Sequence, residues 1–338
     1  MPKRSLHPGN GEQQLNQAVD AMFSRTNSKR PKVEKEIEPL VRIAAELRNL
    51  PSASFKARLK SQLLGKKHMS TVAEPIVDKT AAVPPGFRMV TPYLVAADGH
   101  ALLDFVKAAF GAEEKLRIET PMGGVHGEMR IGDSMLMLGG GVPGKKFPGS
   151  LQPAALHVYV KDCDAVCANA LAAGANLIDE ARDQEYGERS ATVKDAAGNF
   201  WYIATAKGES HVPQGLHNVN PYLHPRRAEP LIAFLKRAFA AEEVAKYASP
   251  DGVVNHAVVR VGDSIVEMGE AHGKYETMPA MFYLYVPNVD AVYRQAVAAG
   301  AISFQEPADQ PYGDRTAAVR DNFGNKWYIA THVKDVEV

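Results

Sequence analysis

The chain has 338 residues, 45% of them hydrophobic and 23% charged, with equal numbers of acidic and basic side chains. That length accommodates two domains and a smaller piece, and the composition suits a packed soluble core. No apolar run approaches the roughly 20 residues that a membrane helix needs, and no apolar segment follows the first charges as in a secretory leader. Cytoplasmic location is therefore expected, and the two cysteines, Cys163 and Cys167, are expected to be buried and reduced.

Residues 1–80 differ from the rest, carrying 15 Lys/Arg against 8 Asp/Glu. Leu15, Val19, Met22 and Phe23 share one helical face, Leu40, Ile43, Ala44 and Leu47 a second, and Phe55, Leu59 and Leu63 a third. Three short amphipathic helices have little to bury among themselves, so they are expected to dock on the body of the protein or on a partner. Glu34, Glu36, Glu38 and Glu46 interrupt the basic excess, which argues for a solvated face and against nucleic-acid binding. A Pro- and Ala-bearing linker, 70–85, follows.

From Phe87 the pattern is regular. Strands are expected at Met89–Val95, Glu114–Glu119, Val125–Ile131 and Met135–Leu138, with a helix over Leu102–Phe110. A second βαβββ unit opens at Leu156–Val160, continues in a helix over Ala165–Ala173 and closes in three strands ending at Thr205. The whole set then returns. Asp183–Thr205 matches Asp309–Thr331 without a gap, with 15 of 23 positions identical, and VTPYL, KAAFGAEE and IGDS recur as VNPYL, KRAFAAEE and VGDS. A match of that length is a duplication. It yields four units in two copies, 86–207 and 217–334.

Two βαβββ units per copy, each closing on Asp-x-x-Gly-x-x-Trp, resemble the vicinal oxygen chelate superfamily, the glyoxalase, bleomycin-resistance and dioxygenase group. TPYL, HGEMRIGDS, NHAVVRVGDS, HVYV, YLYV and DNFGNKWYIATH are most similar to its phosphonate-cluster (PhnB-like) branch. The resemblance implies an α+β fold in which pairs of units curl mixed sheets into two ligand-holding cups. It also implies a divalent ion, where one is used, on one side chain from the first and last strand of each unit. Those positions are Thr91, Met137, His157 and Tyr202 in the first copy, and Asn220, Glu267, Tyr283 and Tyr328 in the second. Sequential units are expected to pair locally, so that each copy closes its own cup. Exchange between the copies would instead bring His157 and Glu267 together as ligands of one Zn, Mn or Ni ion.

Other side chains are expected in the hollows. His126 and Glu128 alternate on one strand with buried neighbours and are candidate catalytic groups, a base and its carboxylate. His256 and Arg260 stand at the matching places in the second copy, Arg189 and Arg315 sit in Tyr-Gly-acid-Arg turns, and Tyr159, Tyr202, Tyr285 and Tyr328 form aromatic walls. The expected function is binding of a small aromatic or amphipathic molecule, or metal-assisted lyase, isomerase or oxygenase chemistry on one. The alternatives are sequestration without turnover and a ligand-sensing module that uses the N-terminal helices. Small-molecule partners are expected, nucleic acid and membrane are not, and the chain is expected as a pseudo-dimeric monomer or a homodimer.

Overall fold

The computed structural model describes residues 82–120, 123–147 and 149–334. The three amphipathic segments expected before residue 80 lie outside them. Among the described residues no helix is long and apolar enough to cross a membrane.

The first unit comprises β1 (Val90–Ala96), α1 (Gly99–Phe110), β2 (Glu113–Glu119), β3 (Gly124–Ile131) and β4 (Ser134–Gly141). The second comprises β5 (Ala155–Tyr159), α2 (Cys163–Ala172), β6 (Asn176–Asp183), β7 (Glu188–Lys194) and β8 (Phe200–Ala206). The second copy repeats this as β9 (Val219–Leu223), α3 (Ala228–Phe239), β10 (Glu242–Ala248), β11 (Val254–Val261) and β12 (Ser264–Met268). It ends with β13 (Met281–Tyr285), α4 (Val289–Ala298), β14 (Ile302–Asp309), β15 (Asp314–Arg320) and β16 (Lys326–His332). Helix starts follow the local chemistry, because the side chains of Asp98, Asp162 and Asn288 each accept a first-turn N–H.

The second and fourth units close through an Asp-x-x-Gly-Asn turn. In the second, Asp195 Oδ1 accepts the N–H groups of Ala197 and Asn199, while Oδ2 accepts the Asn199 amide and Trp201 Nε1, all at 2.8–2.9 Å. Asp321 makes the same four bonds to Phe323, Asn325 and Trp327. Both tryptophans are fully buried and therefore pack rather than face a ligand.

The local pairing expected of sequential units does not occur. One eight-stranded sheet runs β14-β15-β16-β13-β1-β4-β3-β2, and the other runs β10-β11-β12-β9-β5-β8-β7-β6. The first and fourth units thus share a sheet, and the second and third share the other. The joints are antiparallel, with Thr91 opposite Tyr283 and His157 opposite Asn220. Units that follow one another within a copy meet through helices instead, α1 on α2 and α3 on α4. Phe110 packs on Trp201 with ring centroids 4.6 Å apart, and Phe239 packs on Trp327 at 4.7 Å. The duplication is therefore coherent in the core, while the cups belong to both copies.

Candidate functional site

The cup made by the second and third units holds a cavity of about 690 Å³. Its wall is aromatic, with Tyr159, Tyr186, Tyr202, Tyr222, Tyr247 and Tyr275 all lining it. The pleat supplies half of it: Tyr159 lies two residues from His157 on β5, and Tyr202 on β8 and Tyr222 on β9 face the same hollow.

At the floor stand His157 and Glu267, only 8% and 1% exposed. They come from β5 of one copy and β12 of the other, and only the exchanged sheet lets them meet. His157 Nδ1 lies 3.1 and 3.2 Å from the two oxygens of Glu267, and its Nε2 lies 3.6 Å from Glu188 Oε1. His256 Nε2 approaches the other side of Glu267 at 3.6 Å. The Tyr159 hydroxyl donates to Glu188 Oε2 at 3.2 Å, and its ring lies against His157 with centroids 4.3 Å apart. Burial alone would push the His157 pKa down, but the charge and hydrogen bond of Glu267, with help from Glu188, raise it. Burial pushes the Glu188 carboxyl up, against the pull of His157. His256, with desolvation outweighing Glu267, is pushed down.

His224 closes another part of the wall. The Tyr202 hydroxyl bonds its Nε2 at 2.6 Å, and its ring lies parallel to that of Tyr275. Burial, with His272 nearby, lowers its pKa to about 4, so at neutral pH it is an uncharged acceptor.

The four family positions of this cup, His157, Tyr202, Asn220 and Glu267, do not all present donors to a metal. Tyr202 is committed to His224, and Asn220 accepts the N–H of His217 while donating to its carbonyl. His157 faces a carboxylate on each ring nitrogen. Among the described residues no three His, Cys, Asp or Glu side chains converge as a metal-holding group. Two strong donors stand together, but the four-ligand site does not.

The cup of the first and fourth units is built differently. Its family positions are Thr91, Met137, Tyr283 and Tyr328, so Met137 stands where the other cup has Glu267, and Tyr283 where it has His157. Met137, Tyr283, Tyr285 and Ala330 form a small apolar cluster, and Val83 and Phe87 pack into it. Phe87 meets Tyr285 edge-on at 5.8 Å. The Val83–Phe87 turn, VPPGF, recurs before the third unit as Val212–Leu216, VPQGL, each closed by a bond from its last N–H to the first proline carbonyl. In that second turn Pro213 and Leu216 line the open cavity instead of filling it. The outer cup is thus occupied by its own chain.

The remaining expected residues divide accordingly. His126 and Glu128 lie in the occupied cup, where Nδ1 bonds the Tyr93 hydroxyl at 2.8 Å and Nε2 stands 3.6 Å from Glu128. That is beyond a direct hydrogen bond. Tyr285 and Tyr328 also belong there, whereas Tyr159, Tyr202 and His256 line the open cavity. Arg189 turns outward to Asp164 and Asp183, and Arg315 to Asp290 and Asp309, rather than to the adjacent acids. Arg260 is exposed near Glu242. Neither Arg189 nor Arg260 lines the cavity. Glu188, Tyr222, His224 and Tyr275 were not expected. The available signal for Glu188 was the acid of its Tyr-Gly-Glu-Arg turn, and for Tyr222 the tyrosine of VNPYL.

Comparison with known proteins agrees with this architecture. Maize glyoxalase I superposes with a TM-score of 0.56 at 14% identity, covering 72% of this chain and 92% of that one. A putative dioxygenase from Bacillus subtilis gives 0.50 at 14%, covering 74% and 87%. At such identity the likeness is one of fold. An uncharacterised protein of Mycobacterium tuberculosis strain H37Rv is 37% identical over 149 residues, spanning 39% of this chain and 88% of its own length. The family model described as Glyoxalase/Bleomycin resistance protein/Dioxygenase superfamily matches twice, at residues 88–203 and 224–329. With a match over more than half its length, lying across both copies, the chain belongs to the glyoxalase/bleomycin-resistance/dioxygenase superfamily.

Proposed function

We propose that the protein binds one small aromatic or amphipathic molecule per chain, in the cup shared by the second and third units. His157 is the group that exchanges a hydrogen bond or a proton with it. The observation that carries this reading is the His157–Glu267 contact of 3.1 Å at the floor of a cavity of about 690 Å³ lined by tyrosines. A concave, largely apolar site with a few convergent polar groups is the usual form of a small-molecule pocket. Glu267 holds the imidazole by Nδ1 and fixes its orientation, leaving Nε2 on the Glu188 side to meet a ligand. Tyr159 packs on the ring and limits its rotation. The finer kinship with the phosphonate-cluster branch fits this reading, since its motifs supply the strands on which these residues stand.

Fluorescence of the neutral reporter N-phenyl-1-naphthylamine tests the proposal. The full chain should enhance it with a stoichiometry of one, and Leu216→Trp, which fills the cavity from its lining, should abolish the enhancement. Equal enhancement by that variant would overturn the site. A second reading rests on the same contact: His157 and Glu267 as the two protein donors of a divalent ion. Metal analysis of protein purified without chelator decides it. One equivalent, lost in both His157→Ala and Glu267→Ala, would establish the metal reading, and metal retained by either variant would exclude these ligands.

A further inference from the structure

The floor of the open cup is unbalanced in charge. Two carboxylates, Glu188 and Glu267, are buried there, and the imidazole of His157 lies between them as their shared partner. His256 adds a second imidazole beside Glu267 but no hydrogen bond. The remaining charged side chains of the lining are Asp179 and Arg182. Asp179 is matched by Lys274 and bonded by Tyr275, and Arg182 is exposed at the rim. The floor thus sets two buried carboxyl groups around a single hydrogen-bonded imidazole. Buried charge without a counter-charge is costly, so such sites are completed by an opposite charge.

The wall offers the same preference by other means. Tyr159 bonds Glu188 and Tyr222 stands opposite Glu267 in the sheet, and Tyr202, Tyr275, Tyr186 and Tyr247 extend around the hollow. Tyrosine faces attract cations through the ring quadrupole, more strongly where water is excluded. Acidic floor and aromatic wall therefore select one sign. The occupied cup lacks this pairing, since Met137 and Tyr283 replace Glu267 and His157.

We infer that the ligand of the open cup is an organic cation, an aromatic molecule bearing a protonated or quaternary amine that lies against Glu267 and Glu188. The inference rests on the small-molecule reading above and adds the ligand's charge.

The test is displacement of N-phenyl-1-naphthylamine from the full chain, in EDTA, by three benzyl compounds: benzyltrimethylammonium, benzyl alcohol and phenylmethanesulfonate. The ammonium should displace at a concentration at least tenfold below the alcohol, and the sulfonate should be weakest. Glu267→Gln and Glu188→Gln should each reduce the ammonium's advantage over the alcohol. The wild-type series stands alone should either variant fail to fold. Equal potency of the three compounds, or the sulfonate as strongest, overturns the cation and leaves the small-molecule reading intact. Absence of reporter binding overturns that reading itself. Displacement by zinc chloride without EDTA, with none by the ammonium, would assign the excess charge to an inorganic cation and refute an organic one.

Discussion

Replacing Glu267 with Gln tests the centre of the site. Glu267 is 1% exposed and accepts from His157 through both oxygens. Gln keeps the volume and one acceptor but removes the charge that offsets the burial of the imidazolium. Breaking a buried pair by removing one partner costs about 3–5 kcal/mol. Glu188 still faces Nε2 in the variant, so the lower end, about 3 kcal/mol, is expected. The pH dependence identifies the cause. In the wild type the His157 pKa is raised, so its stabilisation is full below the unfolded value of about 6.5 and is lost as pH rises through the folded value. Without Glu267, burial dominates and the folded pKa falls, so the variant instead loses stability as pH falls below about 6.5. The difference between the two proteins should therefore grow as pH falls below the wild-type folded pKa of His157 and shrink as pH rises above it. Urea unfolding across that range, with NMR titration of His157, measures it. A difference constant with pH would refute the argument, because loss of packing alone does not titrate.

Asp195→Ala should cost about 3–5 kcal/mol in urea unfolding, since it leaves Trp201 Nε1 and three other donors without their acceptor. His224, held neutral with a pKa of about 4, should cost the fold about 3 kcal/mol between pH 6.5 and 4, because the unfolded chain takes up the proton first. An acid-unfolding midpoint unmoved by His224→Phe would contradict this. Arg315→Ala removes exposed ion pairs to Asp290 and Asp309 and should change stability by less than about 1 kcal/mol, with reporter binding unaltered. Phe87→Ala should empty the outer cup and raise reporter stoichiometry from one to two per chain.

Strand and helix positions were legible because period-2 alternation and Asp-x-x-Gly-Asn turns are local signals, and the duplication printed them twice. The pairing of units was not. Every unit offers the same β1-like and β5-like edges, so hydrophobic pattern is satisfied equally by local closure or exchange, and short connections favour the former. What separates the two is the chemistry of a few positions. Local closure would bury Glu267 opposite Tyr283 and Tyr328, with His157 in a different cup, whereas exchange gives the carboxylate its imidazole. A buried acid seeking its partner was the legible clue. The site residues that the sequence did not single out, Glu188 and His224, act through neighbours 22 residues or more away, beyond the reach of any strand pattern: Glu188 meets Tyr159 and His224 meets Tyr202 by a turn of the sheet. The filling of one cup by Phe87 depends on a turn, Val83–Phe87, that begins before the first copy.

The exchanged sheets are nested like brackets, and this orders their assembly. His157 pairs with Asn220, 63 residues on, whereas Thr91 must find Tyr283, 192 residues on. The difference in loop-closure entropy is about 1 kcal/mol, in favour of the inner sheet. During synthesis every strand of the inner sheet is available once β12 has emerged, while β1 still presents an unpaired edge awaiting β13. The binding cup therefore forms early, from contiguous chain. The outer cup closes last, joining the two ends of the duplication, and its open edge is the part of the nascent protein most exposed to pairing with a neighbour.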